Sequence, residues 1–432
     1  MNRSQLLYLA ASILIFFSAC KKDEGLTEDQ KASYLKYYGA ASTGSDMAPT
    51  EDGGFIMVGT TSSGSNNDVI LIKTDANGNQ QWIKTFDGPG NLDDEGNAVV
   101  VTPTGGYAII GNTKETITDS TSGFEVTVQK GMLLLTDRYG ELLTSPRIYG
   151  LRDTTYLNDV YANGISMDNS GSNFILACEI NHRVTNDKIG YGLLISSADY
   201  SQNGVIYCFI RDDNNDIINI GFKDVIQASN DHYIFIGNSD FVQFKGVQDK
   251  SNIWITDYLT MNNVDTSGVG NYYVFGGLED DEAYTVIENS AGHYMISGYI
   301  TQDITGRSDM DATLIECKAP TSDGPEWQSN FGEELSSSYS EDMAYSCFAL
   351  SDGYIVAGMS QKPGAEGQLY MAKINSTGEK VWTKTYGYIG MDEARSVCET
   401  SDGGFALFGT ATDERGNSTM CLLKTNSSGE LK

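Results

Sequence analysis

Adjacent carboxylates are the groups in this chain whose type and spacing best suit chemistry. They stand at Asp94-Glu95, Asp281-Glu282 and Asp392-Glu393, with Asp342 at the matching place in a fourth unit and Asp159 in a fifth. Oxygens gathered in a partial ring would suit a hard cation such as calcium, or a hydroxyl-rich or amine ligand. The same groups can serve structure alone, each accepting backbone N–H bonds at a junction between units. Other candidates are thinner. Asp212-Asp213-Asn214-Asn215-Asp216 lacks the glycine and distal glutamate of a calcium loop and reads as a solvated hairpin tip. His232 and His293 each precede an aromatic residue at a turn, and His182 lies in a variable loop. There is no G-x-S-x-G elbow and no H-E-x-x-H pair. The expectation is therefore a non-enzymatic binding module without catalytic residues, with calcium as the one cofactor to consider. The alternative is a glycan-active hydrolase or lyase, its site at the mouth of a central channel and scattered carboxylates supplying acid and base.

The elements that would position these carboxylates are repeats. An aromatic anchor recurs at Phe55, Tyr107, Phe174, Tyr233, Tyr294, Tyr354 and Phe405. Four residues beyond each stands Gly59, Gly111, Cys178, Gly237, Gly298, Gly358 or Gly409. An Asp-Gly-Gly turn precedes the clearest anchors and supplies the positive φ of a hairpin. Each unit reads as four strands: one before the turn (Ala98-Val99-Val100-Val101), one opened by the anchor (Phe55-Ile56-Met57-Val58), an apolar one often ending in lysine (Val69-Ile70-Leu71-Ile72-Lys73), and a last one (Trp82-Ile83-Lys84-Thr85-Phe86). The units commonly close on an aromatic and a glycine, as in Tyr149-Gly150, Phe331-Gly332 and Tyr386-Gly387. Such repetition predicts a seven-bladed, all-β propeller of four-stranded blades over residues 34–432. The last unit ends at Leu431-Lys432 without its fourth strand. Tyr34-Leu35-Lys36-Tyr37-Tyr38-Gly39 matches that strand, so the N-terminal segment should complete the last blade and remove the open edge.

Composition agrees. The chain carries 28 basic and 58 acidic residues, net −30, which disfavours nucleic acid and anionic lipid surfaces. Glycine is abundant (47) and proline scarce (7), as many short strands and tight turns require. Cys178, Cys208, Cys317, Cys347, Cys398 and Cys421 form no C-x-x-C pair, which argues against structural zinc. Cys178 and Cys208 fall on strands flanking a third, too far apart for a disulfide, and should be buried thiols. Phe244, Trp254 and Tyr258 lie in an irregular stretch, where core packing is the first expectation and stacking on sugars or a partner the second.

Resemblances extend this reading. Arg3, the apolar run Leu6 to Phe17 and Ser18-Ala19-Cys20 resemble the signal peptide and lipobox of bacterial lipoproteins. The resemblance implies cleavage after residue 19, acylation of Cys20, and a tether over residues 20–33. Cys20-Lys21-Lys22-Asp23-Glu24 resembles the surface-export signal of Bacteroidota lipoproteins, which implies an outer-membrane protein facing the exterior. Its contact with the membrane would be the lipid alone, and its partners outer-membrane proteins or surface glycan. Asp119-Ser120-Thr121 and Asp153-Thr154-Thr155 resemble the three-residue O-glycosylation sites of that group. The repeats resemble the D-G-G-[FY] propellers of bacterial surface proteins and, more loosely, kelch repeats. Gly78-x-x-x-Trp82 and Gly378-x-x-x-Trp382 resemble the docking motif of quinoprotein propellers. With two plain copies, tryptophan is better read as packing between blades than as a sign of a quinone cofactor.

Overall fold

The computed structural model describes residues 35–431, apart from residues 63, 120–121, 151–157, 212–216, 241–250, 262–270, 277–278, 304–307, 320–323, 333–339, 363–364 and 388–389. Cys20 and the tether, the acidic run at 212–216, Phe244 and the motif at 153–155 lie outside the described residues, as do Ser120 and Thr121. The described elements are strands, almost all in four-stranded antiparallel sheets ordered first to fourth along the chain. The exception in order is the last sheet. Leu35–Tyr38 pairs antiparallel with Ser418–Thr425, outside Phe405–Thr412 and Glu393–Glu399, in the register Leu35↔Leu423. Two sheets, those beginning at Glu282 and Glu341, are joined by one parallel bridge, Met310↔Glu341. A short ribbon, Ile210–Arg211 with Ile217–Ile218, stands apart.

The first strands of the sheets are Ser42–Pro49, Asp94–Val101, Asn158–Met167, Ile220–Gln227, Glu282–Glu288, Glu341–Leu350 and Glu393–Glu399. Each packs against the first strand of the next sheet, and Glu393–Glu399 packs against Ser42–Pro49. The series returns on itself, and the first strands surround a common axis. The architecture is all-β and propeller-like.

The sequence pattern follows the position of each strand. The second and third strands are covered on both faces by neighbouring sheets, so Ile56, Met57 and Val58 and Val69 to Ile72 form unbroken apolar runs, all buried. The fourth strand Gln80–Phe86 is an outer edge and alternates exposed with half-buried residues before ending on buried Phe86. Between consecutive sheets lie apolar clusters, each drawing on both neighbours.

The recurring motif residues have packing causes. A Cβ at Gly59, Gly111, Gly237, Gly298, Gly358 or Gly409 would fall on the carbonyl oxygen of the residue preceding its first-strand partner: Thr43, Glu95, Gly221, Glu282, Met343 or Glu393. That approach occurs because each first strand carries a β-bulge at this level. Trp82, Trp327 and Trp382 lie against the turn glycine of the next sheet, Gly140, Gly378 and Gly429. Each also lies 6.0–6.4 Å from that sheet's aromatic anchor, Tyr107, Tyr354 or Phe405. Tyr38 and Tyr386 donate to the Gly78 and Gly429 carbonyls at 2.5 and 2.7 Å. These tryptophans join neighbouring sheets. Trp254 and Tyr258 are buried in the core.

Candidate active site

The bulge in each first strand aims one extra side chain out of the ladder, toward the axis. In chain order these are Ser45, Asn97, Asn163, Lys223, Tyr284, Tyr345 and Arg395. Some tie neighbouring sheets together: Asn97 and Asn163 donate to the carbonyls of Ala162 and Phe222, each at 2.7 Å. Three consecutive ones form a distinct cluster. The Tyr284 and Tyr345 rings meet edge to face at 4.8 Å, and the Arg395 guanidinium lies 3.9 Å over the Tyr345 ring. Arg395 pairs with Glu393 at 2.8 Å, and the Tyr284 hydroxyl donates to Glu282 at 2.8 Å.

Burial dominates the electrostatics of this cluster. Burial pushes the Tyr345 phenol up to about 12, with Glu393 and Glu282 adding to the shift and Arg395 opposing it. Burial and Glu282 push Tyr284 well above the ordinary phenol range. Both phenols therefore stay protonated at neutral pH and can donate hydrogen bonds. Burial alone would depress Arg395, but Glu393 and Tyr345 hold it above its ordinary value, and its side chain remains 35% exposed. The site thus offers two carboxylates, two phenols and one guanidinium from three successive sheets.

The acid pairs named from the sequence divide between two environments. Asp94, Asp281, Asp342 and Asp392 are at most 3% exposed and lie at sheet junctions. Each abuts the glycine closing the preceding sheet, Gly88, Gly276, Gly332 or Gly387, where a Cβ would strike the carboxylate. They accept polar hydrogens there: Gly88 N–H on Asp94 at 2.5 Å, Thr301 N–H on Asp281 at 2.7 Å, Ser340 hydroxyl on Asp342 at 2.6 Å and Thr412 N–H on Asp392 at 2.8 Å. Their following residues sit on the opposite face of the strand. Glu95 is exposed, and Glu282 and Glu393 are half-buried within the tyrosine–arginine cluster. Asp159 accepts Gln129 N–H at 2.8 Å and pairs with Arg183.

Tyr284, Tyr345 and Arg395 were absent from the sequence reading, although a signal existed. They stand three residues after a junction aspartate, in Asp281-Glu-Ala-Tyr284, Asp342-Met-Ala-Tyr345 and Asp392-Glu-Ala-Arg395. The histidines are turn residues, but not idle ones. His232 pairs with Asp257 at 2.7 Å and His293 with Glu316 at 2.9 Å. In other sheets the pair runs the opposite way, turn acid to strand lysine: Asp52–Lys73 at 2.8 Å and Asp352–Lys373 at 2.7 Å. This explains both the histidines and the lysines ending third strands. The six cysteines after Cys20 are buried free thiols, with Cys178 opposite Tyr191 and Cys208 opposite Gly190 on either side of one strand.

No protein-family model matches the chain, and no curated protein does. Among solved structures, it is similar to a polysaccharide lyase of the PL25 ulvan lyase family, with a TM-score of 0.52 and 8% identity over 91% of this chain and 96% of that one. It is also similar to Drosophila Semaphorin 2a, at 0.50 and 7% over 91% and 75%. The α-L-arabinofuranosidase Arb93A of Fusarium graminearum aligns at 0.44 and 8% over 91% and 95%. At these identities the likeness is one of fold.

The likeness to a polysaccharide lyase corrects the expectation of a non-enzymatic binding module, because the same fold carries an enzyme there. That expectation rested on the lipid tether, the closed ring and the missing catalytic motifs, none of which excludes an enzyme on this fold. Carboxylates, phenols and a guanidinium need no such motif to act as acid, base and charge stabiliser.

Proposed function

We propose that the chain is a surface enzyme that cleaves a glycan at one end of the ring axis, using Glu282, Glu393, Tyr284, Tyr345 and Arg395. The observation that carries this reading is the convergence of Arg395 on Tyr345 and Glu393, beside the Tyr284–Glu282 pair. Two carboxylates divide the acid and base work of glycosidic cleavage. The paired aromatic rings offer an apolar wall against a sugar face, and Arg395 a directional donor for a hydroxyl or carboxylate. The likeness in fold to a polysaccharide lyase supports the class.

The net charge of −30 works against a polyanionic substrate, and the site holds two carboxylates to one guanidinium. A neutral glycan and a cation-like transition state fit this balance better than a polyuronate does. In the finer reading of the fold, the ring has seven blades, the two bridged sheets counting as two; an apolar cluster at every junction supports that count. The protein is held at the outer membrane by acylated Cys20, facing the exterior, where a surface glycan is within reach.

The test is incubation of the mature protein with a panel of neutral and uronate-containing polysaccharides. New reducing ends and the ultraviolet absorbance of an unsaturated uronate are followed together. Reducing ends without that absorbance are expected from a neutral substrate. Glu393→Gln and Glu282→Gln should each lower the rate by on the order of 10²-fold or more. A protein that cleaves nothing, or variants as active as the parent, would sink the reading.

A further inference from the structure

The first sheet junction differs from its counterparts in a way that calls for a cation. At three other junctions, the residue before the third strand's apolar run approaches the same closing glycine as the buried aspartate. Beside Gly276 and Asp281 that residue is the amide Asn252, and beside Gly387 and Asp392 it is the amide Gln368. Where Asp311 meets Asp342 beside Gly332, donors are at hand: Gln302 Nε2 reaches Asp311 at 3.1 Å and the Ser340 hydroxyl reaches Asp342. At the first junction the equivalent residue is Asp68, and Asp87 adds a third acid. Carboxylate oxygens of Asp68, Asp87 and Asp94 all lie within 4.8 Å of one another. Asp94 is 1% exposed; its Oδ2 takes the Gly88 N–H, while its Oδ1, with the Thr113 hydroxyl beside the carboxyl, has no partner of hydrogen-bond geometry.

We propose that Asp68, Asp87 and Asp94 together bind one divalent, oxygen-seeking cation of the calcium class. Three carboxylates this close repel one another, and a buried oxygen without a donor is costly. A hard cation relieves both, and the all-oxygen donor set, without imidazole or thiolate, selects against zinc or copper. The ion would pin the segment from Asp87 to Asp93, which leads into Glu95 and joins the first two sheets. The inference is independent of the glycan reading.

The experiment uses the mature protein stripped with a chelator and titrated with calcium chloride, read by calorimetry and by thermal melting. One calcium per chain is expected, with a melting temperature that climbs with calcium concentration. Asp68→Asn/Asp87→Asn should stay folded, lose the calcium response, and melt no lower than the parent in calcium-free buffer. Should that variant fail to fold, Asp87→Asn alone, at an exposed position, should weaken calcium binding at least tenfold. No calcium heat and no melting shift in the stripped parent would overturn the proposal. So would either variant binding calcium as the parent does.

Discussion

At the residue scale, the polar groups around the axis carry a pH signature. Asp46 and Asp224 each stand one residue past a bulge and reach the next sheet. Asp46 accepts the N–H groups of Met47 at 2.7 Å and Val99 at 3.0 Å; Asp224 accepts those of Val225 at 2.8 Å and Val286 at 3.0 Å. Burial nevertheless dominates and pushes their carboxyls up to about 6 and about 7. The folded chain then binds protons that the unfolded chain, with carboxyls near 3.8, has already released. Their contribution to stability is greatest below about pH 4 and declines as pH rises through 6 to 7. Denaturant melts at pH 5 and pH 8 should show this decline, and Asp224→Asn should flatten it. An unchanged slope in that variant would refute the assignment.

At the element scale, the unit is held by close backbone approach at the bulge. Gly111 is required because the Glu95 carbonyl occupies the space of its Cβ, not because of its own φ. Gly416, by contrast, has open space around it and a φ of +81°. Gly111→Ala should therefore cost several kcal/mol, on the order of 3, and loosen the junction beside Glu95. Gly416→Ala should cost about 1 kcal/mol, the strain of a left-handed alanine. Urea unfolding of the two variants measures the difference, and equal losses would contradict the packing argument. The unit also tolerates exchange of charge. Lys73, Lys373 and Lys424 share a ladder position with Asp257 and Glu316, opposite Ile56, Ile355, Ala406, Ile234 and Met295. Where the strand residue is acidic, a histidine on the turn, directly before the anchor, supplies the partner in the acid's stead.

At the scale of the whole molecule, the ring depends on its seam. Leu35 and Tyr38 are buried at 7% and 4%, and Leu35 joins the apolar cluster around Leu407, Cys421 and Leu423. Tyr38 also bonds the first sheet at Gly78, and Lys36 donates to the Asn77 carbonyl at 2.6 Å. One strand thus completes the last sheet and bonds across to the first. A chain begun at residue 41 should expose the edge of Ser418–Thr425 and melt well below one begun at residue 30. It should also self-associate, as a bare edge invites. Melting and light scattering of the two chains would show it; equal melting temperatures would mean that the seam contributes nothing.

The repeat, the order of strands within a unit and the terminal strand that completes the last sheet were all legible along the sequence. The first two are local matters: turn glycines, alternation on edge strands and unbroken apolar runs on covered ones repeat where the backbone repeats; the third follows from comparing units, since the N-terminal segment matches the strand that the last one lacks. The carboxylate pairs were legible too, but not the division of labour within them. Successive strand residues face opposite sides, so Asp281 and Asp392 turn into the junction while Glu282 and Glu393 turn toward the axis. Tyr284, Tyr345 and Arg395 were hidden because a bulge, not a side-chain pattern, turns them inward, and because they come together from separate sheets. Asp68, Asp87 and Asp94 likewise belong to strands and a loop that only the first junction brings within reach of one another. The sequence by itself determined the unit and its repetition, since these follow from local backbone and burial preferences. The tertiary structure alone decided which charges meet, since that depends on how one sheet seats against the next.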